Sequence, residues 1–157
     1  MNVLLPAEIE NRLITALQRA GQHEIGGILM AECLAPNYFR VTDVTIQHRG
    51  GSFATFLRGV KLALNPLKRF FEKTGHDYER FNYLGEWHSH PSFTLEPSNP
   101  DIRSMLEIIR DPQVGATFVV LMIIRLGKNS ILEGTVTVFV PGQPAFSGAL
   151  IMENVCE

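Results

Sequence analysis

The sequence is short of cysteine, of net charge and of long apolar runs. Its two cysteines, Cys33 and Cys156, lie far apart and form no Cys-x-x-Cys pair, which argues against a disulfide framework. A net charge of −2 gives no electrostatic reason to expect nucleic acid or an acidic membrane as a partner. Residues 1–5 are too few for the apolar core of a secretion signal, and no apolar run reaches transmembrane length. We therefore expect a protein of the reducing cytoplasm.

What is present is the composition of an ordinary globular domain. The 157 residues are 45% hydrophobic and 19% charged, which is enough to bury a full core. The sequence contains no internal repeat, no low-complexity tract and no linker. We therefore expect one domain over residues 1–157.

Apolar periodicity and turn residues predict the element order α-β-β-β-α-β-α-β-β. Helices are predicted at residues 6–20, at 61–74 with a true start near residue 65, and at 100–110. Strands are predicted at residues 24–34, 38–47, 52–57, 82–90, 116–126 and 131–140, and the tail from residue 145 fits a strand or a short helix. Adjacent strands mixed with helices are typical of an α+β fold with a mixed sheet.

Two histidines, His88 and His90, stand at the end of a predicted strand. Side chains two residues apart on a strand point to the same face, so both imidazoles can meet at one point. Pro91 ends the strand, and a turn-rich loop leads to Asp101 in the first turn of the next helix. Two imidazole nitrogens and one carboxylate can hold zinc and leave its fourth position to water, which is the catalytic arrangement.

Each of these patterns also has an interpretation that needs no metal. A His-x-His pair at a strand end is compatible with an exposed surface pair. Ser98-x-x-Asp101 fits a helix capping box. Glu86 adds a third open question, because it lies two residues before His88 and shares its strand face. Local geometry therefore makes Glu86 a candidate general base, or a hydrogen-bonding partner of the site.

The complete spacing, His-x-His-Pro followed by six residues and Ser-x-x-Asp, resembles the JAMM motif of the JAB1/MPN/Mov34 metallopeptidases. The resemblance implies a single MPN domain with a curved mixed β-sheet flanked by helices. It also implies one Zn²⁺ per chain, with His88, His90 and Asp101 as the metal ligands.

The same resemblance implies two catalytic residues. The stretch Glu24-Ile25-Gly26-Gly27 is similar to the family element that carries the general base, which favours Glu24 over Glu86. Ser98 corresponds to the hydroxyl that stabilises the developing oxyanion. The local sequence permits that role, because Asn99 can cap the helix and leave the Ser98 hydroxyl free.

The stretch Gly-Glu-Trp-His-Ser-His-Pro resembles bacterial JAB proteins that accompany activating-like and conjugating-like enzymes of ubiquitin type, including deconjugases of anti-phage signalling systems. This implies a zinc isopeptidase acting on a protein modifier. An alternative is a JAB peptidase that trims the C-terminal tail of a ubiquitin-like sulfur carrier. A non-catalytic MPN scaffold is least expected, because scaffold members lack the metal ligands.

We expect the substrate's C-terminal tail to bind in an extended form, as an added strand. Residues 50–59 are the candidate edge, with two flexible ends around a strand-forming centre, although a surface hairpin fits the same stretch. Residues 48–60 have the position of the first family insertion. Residues 127–130 leave little room for the second insertion, with which eukaryotic relatives grip ubiquitin.

Overall fold

The computed structural model describes residues 1–47 and 60–153, with the backbone alone for residues 60–64. The strands are β1 Asn2–Pro6, β2 Gly26–Ala35, β3 Tyr38–Val44, β4 Phe81–Ser89, β5 Val119–Leu126, β6 Leu132–Phe139 and β7 Phe146–Glu153. The helices are α1 Ala7–Ala20, α2 Val60–Lys73 and α3 Asn99–Arg110, with a short 3-10 helix at Lys128–Ser130. The predicted strand 52–57, the candidate edge 50–59 and Cys156 lie outside the described residues.

The strands form one mixed sheet in the order β1-β3-β2-β4-β5-β6-β7, and the sheet closes into a barrel. β4 and β5 are parallel, as are β1 and β3, whereas the β2–β3, β2–β4, β5–β6 and β6–β7 pairs are antiparallel. Closure comes from parallel pairing of β1 with β7, where Asn2 lies opposite Ala149. The prediction of an α+β fold with a mixed sheet is confirmed.

The core is divided by the sheet, because the central strand β5 is buried on both faces. Alternate residues of β5, such as Val120 and Met122, contact the apolar face of α1. The intervening residues Leu121 and Ile123 contact α3. This double burial explains why β5 is a continuous apolar run rather than an alternating one. A third cluster packs Phe70 of α2 on β2.

A close backbone approach holds β2 against the residues that follow β3. A Cβ atom on Gly27 would lie 2.0 Å from the Thr45 carbonyl oxygen, so a larger residue does not fit. A glycine at position 27 is therefore required for β2 to pack this closely on Thr45.

The structure differs from the sequence prediction at several points and decides one that the sequence leaves open. β1 was not predicted, because a five-residue strand has too little periodicity and its partners lie far along the chain. Helix α2 begins at Val60 rather than near residue 65, and therefore includes Pro66, which removes one backbone donor without ending the helix. β3 ends at Val44, and Gln47 makes only an isolated bridge to Gly26. The tail forms a strand, β7, because β1 and β6 flank it.

Among residues 1–47 and 60–153, no helix has the length and hydrophobicity needed to cross a membrane.

Candidate metal centre

His88 lies near the C-terminal end of β4, between β2 and β5, and His90 directly follows the strand. His88 lies opposite Gly26 on one side and Ile123 on the other. Gly85 allows β4 to pack closely against β5. A Cβ atom at this position would lie 1.9 Å from the Val120 carbonyl oxygen, so a larger residue does not fit. The backbone of His88 is therefore fixed from both sides in the middle of the sheet, and the His90 amide donates to the Ile124 carbonyl at 3.0 Å.

The side chains of His88 and His90 lie together and are buried, with 4% and 7% of their surface exposed. Their Nε2 atoms are 2.9 Å apart. The Nδ1 atom of His90 lies 2.7 Å from the Thr94 carbonyl oxygen, which can only accept a hydrogen bond. Nδ1 of His90 therefore carries the proton, and its Nε2 keeps a lone pair for a metal. This burial argues against the exposed-pair interpretation.

Asp101 completes the cluster from the first turn of α3. Its Oδ1 lies 3.6 Å from Nε2 of His88, and its Oδ2 lies 3.7 Å from Nε2 of His90. Burial opposes ionisation of Asp101, but hydrogen bonds with His88 and Ser98 outweigh it and lower the pKa of this carboxyl to about 2. Asp101 is therefore an anion at neutral pH.

One ligating atom from each of His88, His90 and Asp101 lies within 4.8 Å of the others. Two imidazole nitrogens and an ionised carboxylate form a nitrogen and oxygen donor set that suits zinc and other transition metals. The residues present therefore fit a metal ion bound between β4 and α3.

Ser98 is not free, contrary to the sequence-based expectation. It is itself the N-cap of α3, and Asn99 is the first helical residue. The Ser98 hydroxyl donates to Oδ2 of Asp101 at 2.6 Å, and the Ser98 amide donates to the same oxygen at 2.7 Å. The Asp101 amide donates back to the Ser98 hydroxyl at 3.3 Å. The capping box and the metal cluster therefore share Asp101 rather than exclude one another.

Glu24 lies at the approach to β2, beside the histidine strand. The Ile25 carbonyl accepts from the Ser89 amide at 2.8 Å, and the Ile25 amide donates to the Ser89 hydroxyl at 3.0 Å. With Gly26 opposite His88, continuing this register by two residues puts Glu24 opposite His90. The Glu24 side chain is exposed, so solvent reaches it.

Glu86, the other candidate base, is completely buried. It lies between Ile28 of β2 and Leu121 of β5, and the Tyr83 hydroxyl is 3.4 Å from its Oε1. Burial raises the pKa of Glu86 well above its ordinary value, and the hydrogen bond from Tyr83 offsets this only in part. The raised pKa favours the protonated form of Glu86, which cannot accept a proton from water.

The loop after His90 is held by residues that sequence reasoning missed. Three consecutive carbonyl groups accept hydrogen bonds: Phe93 from Arg125 at 3.2 Å, Thr94 from His90, and Leu95 from Thr135. Arg125 is itself paired with Glu133 across β5 and β6. A local motif cannot reveal these contacts, because Arg125 and Thr135 lie 32 and 40 residues from the carbonyls they bind.

The family model described as prokaryotic homologs of the JAB domain matches residues 6–133, which include His88, His90 and Asp101. Among curated proteins, a CD-NTase/cGAS isopeptidase from Enterobacter hormaechei subsp. hoffmannii is 32% identical over 109 residues, or 68% of this chain. The matched region spans 57% of that relative's length.

The chain is also similar to two solved structures. A protein from Desulfitobacterium hafniense, determined in solution, matches with a TM-score of 0.66 at 17% identity, over 99% of this chain and 95% of that chain. The two chains therefore share a fold. A JAB1/MPN domain protein from Archaeoglobus fulgidus matches with a TM-score of 0.47 at 11% identity, over 96% of this chain and 98% of that chain. This weaker likeness adds no argument beyond the family match.

Proposed function

This chain belongs to the family of prokaryotic homologs of the JAB domain, and we propose that it is a zinc-dependent isopeptidase. The proposed reaction is hydrolysis of the amide bond that joins a protein modifier to its target. The observation that carries the proposal is the cluster formed by His88, His90 and Asp101, whose ligating atoms lie within 4.8 Å of one another. A non-catalytic scaffold has no need of such a cluster.

In this proposal His88, His90 and Asp101 hold one zinc ion. Bound there, zinc would supply a Lewis acid that polarises the amide carbonyl and lowers the pKa of the attacking water. The low pKa of Asp101 keeps its carboxylate in the form that binds a metal at neutral pH.

Glu24 is the proposed general base. It takes a proton from the attacking water and delivers it to the leaving amine, so the amide is hydrolysed without a covalent intermediate. Its exposed carboxylate at the end of the β2–β4 pairing supports this assignment, as does the burial of its rival Glu86. The family resemblance assigns the Ser98 hydroxyl to the developing oxyanion.

The substrate class is proposed from two sources. The curated relative is named an isopeptidase of CD-NTase/cGAS, and the Gly-Glu-Trp-His-Ser-His-Pro stretch resembles deconjugases of anti-phage systems. We therefore propose a cytoplasmic enzyme whose substrate is an isopeptide conjugate with an extended C-terminal tail. Activating-like and conjugating-like enzymes of the same system would make that conjugate.

Two model substrates test the proposal. One is a ubiquitin-like protein joined through its C-terminal glycine to a lysine side chain of a peptide, and the other is the same protein as a linear fusion to that peptide. The zinc-loaded enzyme should cut the isopeptide bond, lose activity in a chelator and regain it with zinc. Cleavage of the linear fusion alone would favour tail trimming. Zinc binding with no cleavage of either substrate would overturn the proposal.

A further inference from the structure

The Ser98 hydroxyl has one proton to donate, and that proton is directed at Asp101. Its oxygen is 2.6 Å from Oδ2 of Asp101, the short distance typical of a charge-assisted bond to a carboxylate. A hydroxyl that donates here cannot donate to an oxyanion at the same time. The contact therefore conflicts with the oxyanion role that the family resemblance assigns to Ser98.

The contact also determines how Asp101 is presented to the histidines. Oδ2 receives two donors from Ser98, the hydroxyl and the backbone amide at 2.7 Å. These bonds fix the rotation of the carboxylate, so that Oδ1 points to Nε2 of His88 at 3.6 Å. An aspartate without this support has to lose side-chain freedom when it binds a metal, and that loss weakens binding.

We infer that Ser98 is a positioning residue, which orients the Asp101 carboxylate for metal binding through the capping box of α3. This inference rests on the metal centre of the proposed function. It predicts that Ser98 acts on zinc affinity, whereas an oxyanion role would act on turnover and leave zinc affinity unchanged.

The experiment measures the zinc dissociation constant by competition with a chromogenic chelator, first for the wild-type chain. Ser98→Ala should weaken zinc binding by about 10-fold to 100-fold, the usual effect of losing a hydrogen bond to a metal ligand. Ser98→Thr keeps both a hydroxyl and an N-cap, so it should bind zinc within a few-fold of wild type.

A second variant separates the loss of the donor from fraying of α3. Ser98→Gly removes the hydroxyl but is still accepted at an N-cap, so the helix should persist in circular dichroism while zinc affinity falls as in Ser98→Ala. The matched control is Ser92→Ala, because the Ser92 hydroxyl lies in the same loop but donates to Gln22 at 2.6 Å. This control should bind zinc as the wild type does.

The outcomes separate the two proposals. A wild-type chain that binds no zinc would overturn the proposed function itself. A wild-type chain that binds zinc, with Ser98→Ala and Ser98→Gly binding it equally well, would overturn the positioning role alone. A selective fall in turnover at saturating zinc in those two variants would then assign Ser98 to the oxyanion.

Discussion

Two carboxyl groups flank His88, and the structure gives them opposite character. Asp101 receives hydrogen bonds from Ser98, faces two imidazoles and has a pKa of about 2. Glu86 lies two residues before His88 on the same strand, yet burial between Ile28 and Leu121 raises its pKa well above the ordinary value. Proximity to His88 in sequence therefore does not decide which carboxyl has the lowered pKa. The pKa of each carboxyl is set by the hydrogen-bond donors around it and by its burial among apolar residues.

Replacing each carboxyl by its amide tests this comparison directly, and the largest effect is expected at Asp101. Asp101→Asn keeps the shape of the side chain but removes its negative charge. Zinc affinity should therefore fall by more than about 100-fold, which exceeds the usual effect of losing a hydrogen bond to a metal ligand. Glu86→Gln, the matched change, should leave zinc affinity unchanged in the same chelator competition. Equal losses in the two variants would show that Glu86 also serves the metal.

The next largest effect is expected on turnover at Glu24. Glu24→Gln should keep zinc and lower turnover of the isopeptide substrate by about 10²-fold to 10⁴-fold, the usual cost of losing a general base. Glu86→Gln should change turnover by no more than a few-fold, because burial raises the pKa of Glu86 and so disfavours the carboxylate that a general base needs. If Glu86→Gln proved the more damaging variant, the base assignment would pass to Glu86.

A smaller effect is expected on stability, and it depends on pH. Unfolded Glu86 ionises near its ordinary pKa of 4.5, whereas the folded pKa is raised. Its protonated form therefore contributes stability fully below pH 4.5, and this contribution is lost as pH rises through the folded pKa. Glu86→Gln cannot ionise. In thermal melts with a chelator present, it should match wild type at acidic pH and become progressively more stable than wild type as pH rises. A constant difference at all pH values would contradict the raised pKa.

The smallest effect is expected at Tyr83, the hydrogen-bond donor of Glu86. The distance from the Tyr83 hydroxyl to Oε1 of Glu86 is 3.4 Å, near the limit for a hydrogen bond. Tyr83→Phe should cost about 1 kcal/mol of unfolding free energy, which corresponds to a melting temperature about 2–4 °C lower for a chain of this size. An unchanged melting temperature would mean that burial alone, without Tyr83, sets the state of Glu86.

Local sequence was sufficient to predict that His88, His90 and Asp101 lie together, and insufficient for the residues that hold them in place. His88 and His90 follow from strand alternation, and Asp101 from its place at a helix start. The sequence favours Asn99 as the N-cap whereas the structure has Ser98, because both residue types cap helices well and the two residues are adjacent. The hydrogen bond from Ser98 to Asp101 decides between them, and it forms only when the loop is folded.

Two strands, β1 and β7, could not be predicted from the sequence for a different reason. β1 has five residues, and β7 was ambiguous from its own pattern. Each becomes a strand because the other lies beside it, with Asn2 opposite Ala149 and Pro6 opposite Glu153. Pairing between residues so far apart has no trace in a local window of sequence. The hydrogen bonds of Arg125 and Thr135 to the ligand loop are of the same kind.

The pairing of β1 with β7 has a consequence for synthesis on the ribosome. Synthesis proceeds from the N-terminus, so β1 emerges well before its partner at residues 149–153. Until then β1 can pair with β3 alone. Its other edge keeps unpaired backbone groups, and the apolar side chains of Val3 and Leu5 are not yet covered, so other chains can bind there. The barrel therefore cannot close during translation of the first 145 residues, and a pause before β7 would prolong the interval in which nascent chains can aggregate.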